Sequence, residues 1–221
     1  LAVLTGQVYA FVYKDKVYPG VVVGSFPVGG LTISEAEKTI ESSLDNLREN
    51  GLSFVFRDRT VTVPMVSTAT EDPDLSYEII SYDITPTILE IGNYGKSGNF
   101  FENWEQRVSG IFSRVNIRPE YTWRTGKVIE ILKENLSSLE RPAKDANLII
   151  KNGRVEINEE KEGITFNYQK AITQADIQLD SLIFTPIELK LKKDIPEFKK
   201  EEVELLLPAA EKVVKKTGIT I

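Results

Sequence analysis

Leu148-Ile-Ile-Lys-Asn-Gly-Arg-Val-Glu-Ile157 decides the fold class. Leu148–Ile150 and Val155–Ile157 are short runs built on β-branched residues, and Val155-Glu-Ile157 alternates strictly between apolar and polar. Between them, Asn152-Gly153 supplies the two residues that best tolerate the positive φ angles of a type I′ turn. The stretch is therefore an antiparallel hairpin. A second hairpin, or at least two adjacent strands, is expected where Phe54-Val-Phe56 and Val61-Thr-Val63 flank the charged Arg57-Asp-Arg59.

Working outward, helices interleave with these hairpins. Thr32-Ile-Ser-Glu35 has capping-box spacing, and Ala36, Ile40, Leu44 and Leu47 recur at helical intervals until Asn50-Gly51 stops the pattern. Val21–Val23 is a short buried strand, followed by Gly24 and the pair Gly29-Gly30. Leu75–Tyr82 is a further strand. Thr85 or Thr87 starts a short helix through Ile91, and Gly95-Lys-Ser-Gly98 is a loop. Phe100–Phe112 reads as helical, with Trp104, Val108 and Phe112 on one face. A longer helix runs from Arg124 to Leu139 with Ile129, Leu132, Leu136 and Leu139 on its apolar face, stopped by Arg141-Pro142. Ile164–Phe166 is a strand and Tyr168–Leu179 a helix. Leu182–Leu191 is a strand that Pro186 confines to an edge or bulge, and a pair of helices is broken at Pro208. The order lacks the regular βαβ rhythm of a parallel sheet. The expected class is α+β, with a mostly antiparallel sheet and several packed helices.

Composition narrows the chemistry. The 221 residues are 41% hydrophobic, enough to bury a core, and carry 27 Lys and Arg against 33 Asp and Glu, a net charge of −6. Up to Arg118 there are 10 basic and 15 acidic residues; beyond it, 17 and 18. No basic stripe is present, so nucleic acid is not an expected partner. Cysteine and histidine are both absent. That removes thiolate and imidazole zinc sites, Ser-His-Asp and Cys-His nucleophile systems, and CxxC redox chemistry.

Several motifs invite a chemical reading. Lys216-Thr-Gly218, and less closely Lys96-Ser-Gly98, is similar to the KTG element of penicillin-recognising serine enzymes, but no serine has a lysine three places on. Lys216-Thr-Gly218 reads instead as a helix end, with cations at the negative end of the dipole. Glu71, Asp72, Asp74 and Glu78 have oxygens a calcium ion accepts, but their spacing fits no defined loop, and a solvated turn around Pro73 is the competing reading. Gly92, Gly95 and Gly98 lack the leading strand and following lysine of a phosphate loop and form a connector. No acidic pair stands out as a glycosidase acid and base. No catalytic residue, metal site or cofactor is expected. The best ligand-contact candidates are Tyr121 and Trp123, placed at the opening of the long helix, with Arg118 and Arg124 beside them. Aromatic faces stack on sugar rings, although core packing accounts for the same residues.

Taken in order, Tyr18-Pro-Gly-Val-Val-Val-Gly24, Gly30-Leu-Thr-Ile-Ser-Glu-Ala36 and Arg141-Pro-Ala-Lys-Asp-Ala-Asn-Leu148 followed by Gly163 resemble the exported segment of VanW-like proteins and of some L,D-transpeptidases, including their peptidoglycan-binding domain. The likeness spans roughly residues 18–185. Residues 1–17 are then a membrane-proximal segment or a first strand, and 186–221 the start of a further unit or a C-terminal extension. The resemblance implies a non-catalytic, extracytoplasmic module of the bacterial cell envelope, anchored to the cytoplasmic membrane by a segment preceding Leu1. Its partner is the glycan or stem peptide of peptidoglycan. The transpeptidase's catalytic cysteine and histidine are not in this chain. A structural spacer without glycan affinity is the alternative; a carboxylate-only hydrolase is a third reading.

Overall fold

A computed structural model describes residues 11–67, 76–98, 103, 105–106 and 113–217. In chain order the elements are β1 (Val21–Val23), β2 (Phe26–Pro27), α1 (Ile33–Asn50), β3 (Leu52–Phe56), β4 (Arg59–Val63), β5 (Val66–Ser67), β6 (Tyr77–Glu78), β7 (Ile80–Asp83) and α2 (Ile84–Asn93). There follow β8 (Val115–Ile117), β9 (Glu120–Trp123), α3 (Thr125–Leu136), β10 (Asn147–Lys151), β11 (Arg154–Asn158), β12 (Gly163–Phe166), α4 (Tyr168–Ser181), β13 (Ile187–Glu188), β14 (Leu191–Asp194), α5 (Lys200–Glu204) and α6 (Leu207–Thr217). The architecture is α+β as expected, with small and mostly antiparallel sheets. The chain divides into two units, Leu1–Ile131 with Gln169–Glu188 and Leu132–Tyr168 with Leu189–Ile221.

The first unit is organised around α1. Thr32 caps it: its hydroxyl accepts from Glu35 N while the Glu35 carboxylate accepts from Thr32 N, so two otherwise orphaned donors are satisfied. Ala36, Ile40, Leu44 and Leu47 are fully buried, the same four residues the spacing selects. Ala36, Ile40 and Leu44 share a core with Val17, Val21, Val23, Val28, Ile91, Ile117 and Leu182. In β1, Val21 and Val23 face this core, and β8 runs parallel beside it. Gly24 takes φ +57, and a Cβ there would lie 2.7 Å from Ser181 O, because Ser25 N donates to that same carbonyl at 2.9 Å. Only glycine fits so close a backbone approach. The hairpin β3–β4 forms as expected, and β13 joins the free edge of β3 in parallel.

The second unit holds the other hairpin. Asn152 and Gly153 have φ of 51° and 70°, the pair of left-handed conformations a type I′ turn requires. β12 pairs antiparallel with β14, and Glu140 and Asp194 each accept a backbone N–H, from Phe166 and Ala143 respectively.

Five expectations need correction. Leu75–Tyr82 is not one strand: Ile79 N and Ile80 N both donate to Met65 O, and this turns the chain between β6 and β7. Neither Thr85 nor Thr87 caps α2; the Asp83 carboxylate does, accepting from Thr85 N at 3.0 Å, while Thr87 is buried inside the helix. The long helix ends at Leu136, followed by a 3-10 turn, and buries Val128, Leu132 and Leu136, with Leu139 left 36% exposed. Leu182–Leu191 is not one strand but β13 and the first residue of β14, because Leu182 turns at φ 58° and the Gln178 side chain holds Thr185 in a loop. Pro208 does not break the final helices; it sits in the first turn of α6, where a missing N–H costs nothing, and the break is at Leu205-Leu206. The Phe100–Phe112 helix with Trp104, Val108 and Phe112, the carboxylates Glu71, Asp72 and Asp74, the first ten residues and Gly218–Ile221 lie outside the described residues, although residues 103, 105 and 106 are helical.

Candidate functional site

The site is built on the two-stranded ladder β7–β9 of the first unit. The strands pair antiparallel, with Ile80 opposite Trp123, Ser81 opposite Thr122, Tyr82 opposite Tyr121 and Asp83 opposite Glu120. Alternation separates these pairs onto two faces. Ile80, Tyr82, Tyr121 and Trp123 take one face. Ser81, Asp83, Glu120 and Thr122 take the other.

The aromatic face is fastened to α4. Tyr82 Oη donates to Leu179 O at 2.8 Å and Tyr121 Oη donates to the Asp176 carboxylate at 2.8 Å, with the two rings 5.4 Å apart and tilted. Burial pushes the Tyr82 hydroxyl far above its ordinary value, and the neighbouring Tyr121, Asp180 and Asp176 push the same way. Burial also raises Tyr121, reinforced by its hydrogen bond to Asp176 and the charges of Asp176 and Asp180. Both phenols therefore stay protonated and act as fixed donors. Tyr121→Phe is expected to lower stability by about 1 kcal/mol in chemical denaturation, the worth of one hydrogen bond to a solvated carboxylate. An unchanged midpoint would mean that solvent competes the bond away.

The opposite face opens into a groove of about 480 Å³ lined by Ser81, Asp83, Pro119, Glu120, Tyr121 and Thr122. That volume lies in the range of small-ligand clefts. Its ends are held by the helix that follows β7: Asp83 caps α2, and Glu120 N donates to the buried Thr87 hydroxyl at 3.4 Å. Among the described residues, the side chains of Ser81, Glu120 and Thr122 make no hydrogen bond or ion pair within the chain. The groove thus presents two hydroxyls, the Glu120 carboxylate and the second oxygen of Asp83, all unengaged among the described residues, without a basic side chain among its described lining residues.

Tyr121, Trp123, Arg118 and Arg124 do not open a helix together, as the sequence suggested. Tyr121 and Trp123 are half-buried strand residues of β9, and the helix begins at Thr125. The four-residue strand was hidden because it runs directly into a good helix start. Tyr121 lines the groove. Arg124 sits over the Tyr77 ring at 5.5 Å, with Lys127 at 5.9 Å from the same ring, and Arg118 is exposed in the turn before β9. Ser81, Asp83, Glu120 and Thr122 were not singled out in the sequence. The signal was the alternation in Ile-Ser-Tyr-Asp83 and Glu-Tyr-Thr-Trp123, which becomes informative only once the register is known.

Among the described residues, no group of three or more Asp, Glu, His or Cys is arranged to hold a metal ion, and no helix is long and apolar enough to cross a membrane. No curated protein and no solved structure matches the chain. Residues 73–187, just over half of the chain and inclusive of the whole ladder, match the family described as "Putative peptidoglycan binding domain". On that match, the chain belongs to this peptidoglycan-binding-domain family.

Proposed function

We propose that the chain is a non-catalytic, extracytoplasmic module that holds peptidoglycan, of the kind carried by VanW-like proteins and some L,D-transpeptidases, and that the polymer lies in the β7–β9 groove. One observation carries this reading: the family match takes in every described residue that lines the groove. The absence of cysteine and histidine supports a binding role by removing the transpeptidase's own nucleophile and base.

Co-sedimentation with purified sacculi tests it. The chain is expected to be retained, and to remain so at a salt concentration that strips proteins adsorbed by charge alone. A chain left wholly in the supernatant would overturn the proposal. Trp123→Ala locates the contact. Retention lost in this variant assigns the polymer to the aromatic face of the ladder, whereas unchanged retention assigns it to the groove face.

A second reading, a protein-interaction or spacer module, is favoured by the C-terminal part of the second unit. Ile195, Phe198, Leu205, Leu206 and Val213 are there exposed by 52–82%. It predicts no sacculus retention.

A further inference from the structure

We infer that the groove takes the glycan strand of peptidoglycan and not its stem peptide, an assignment that rests on the wall-binding reading above. The cross-strand pairs Ser81–Thr122 and Asp83–Glu120 place two hydroxyls and two carboxylates on one face, in two adjacent rows. Sugars present neighbouring hydroxyl groups that both donate and accept. Carboxylates accept from such groups through two oxygens each, and serine and threonine hydroxyls serve either role. The chain uses little of this capacity itself: Asp83 has one oxygen engaged at Thr85 N, and the Ser81, Glu120 and Thr122 side chains are uncommitted among the described residues. Bonds from sugar hydroxyls to the carboxylates would be charge-assisted, the stronger kind.

The charge of the groove selects against the alternative. A stem peptide brings carboxylate groups, and the described lining offers no lysine or arginine to receive them. Asp83 and Glu120 already face each other across the ladder, an arrangement of like charges that disfavours the strand pair and would repel a further anion. A neutral polyhydroxyl ligand meets no such barrier.

The test is competition on sacculi. Uncharged oligomers of N-acetylglucosamine, which carry the strand's hydroxyl and N-acetyl groups without a carboxylate, are expected to displace the chain, and a synthetic stem peptide is not. Raising salt from about 0.1 to 1 M should change retention by less than about two-fold, because the contacts are to a neutral polymer. Glu120→Gln and Thr122→Ala should each weaken retention, Glu120→Gln by about ten-fold, the equivalent of one lost charge-assisted hydrogen bond. Neither variant should lower the thermal unfolding midpoint by more than roughly 3 °C, since both side chains are exposed and uncommitted among the described residues, and Glu120→Gln, which relieves the repulsion with Asp83, should hold or raise it. Displacement by the stem peptide, collapse of retention in salt, or unchanged retention in both variants would each overturn the glycan assignment while leaving wall binding intact. Loss of sacculus retention by the unaltered chain would instead overturn the wall-binding reading itself.

Discussion

Gly163→Ala is expected to unfold the second unit at temperatures where the unaltered chain is folded. A Cβ at this position would run into the backbone of Ala143 and Arg141 and come within 2.5 Å of the Pro142 carbonyl carbon. The approach is enforced from both sides: Arg141 N donates to Ile164 O at 2.9 Å, and Ile164 N donates to Arg141 O at 2.7 Å. A backbone obstacle cannot rotate away as a side chain can. Relief would require breaking this bridge and shifting β12 from β14, at a cost of about 3 kcal/mol or more. In a chain of this size that corresponds to a fall in melting temperature of roughly 6–12 °C. Gly153→Ala is the control. There a Cβ meets nothing within 4 Å, and only the left-handed backbone at φ +70 is penalised, by about 1 kcal/mol. Equal melting temperatures for the two variants would show that residues 141–143 and 163 do not approach as described. The approach also gives a physical reason for Gly163 to accompany the Arg141–Leu148 segment in the resemblance.

Phe54→Ala is expected to cost about 3–5 kcal/mol, the usual range for deleting a buried ring. Phe54 is fully buried on β3, the central strand of its sheet, with Val61 opposite it on β4 and Ile187 opposite it on β13. Both neighbours are themselves buried, so the cavity would be closed off from water and the lining would lose its contacts outright. Phe56 provides the comparison. It is half-buried at the end of the same strand under the Arg57 guanidinium, so Phe56→Ala should cost under about 1 kcal/mol. Denaturant midpoints for the two variants check the contrast. Similar values would mean that β3 does not sit between β4 and β13.

What was legible in the sequence was local. Helix α1 could be read from end to end because a capping box, a helical apolar repeat and a terminal glycine lie within 20 consecutive residues, and the structure uses each of them. The β10–β11 hairpin was equally clear, since Asn152-Gly153 fixes both the turn and the register. The hidden features depended on partners far along the chain. Nothing near Glu120 announces that it faces Asp83, and Tyr121 and Trp123 precede a helix so closely that they read as part of it. Nor does local pattern reveal that the stretch after Leu182 divides its pairing between β3 and β12. The groove escaped notice for a related reason. Its lining consists of ordinary surface residues, and register alone makes neighbours of them.

The parallel pairing of β13 with β3 also orders events in time. Ile187 meets Phe54, so residues more than a hundred positions apart must both exist before that ladder can close. Tyr82 and Ser25 likewise wait for carbonyls supplied by Leu179 and Ser181. A chain emerging from the ribosome N-terminus first therefore carries a half-finished first unit while all of residues 132–168 are being made. Throughout that interval the open edge of β3 remains available to strands of other molecules. The last residues of the family-matched segment complete a unit whose other strands were synthesised well before them, and the high sequence separation of those contacts makes closure of that unit a slow step.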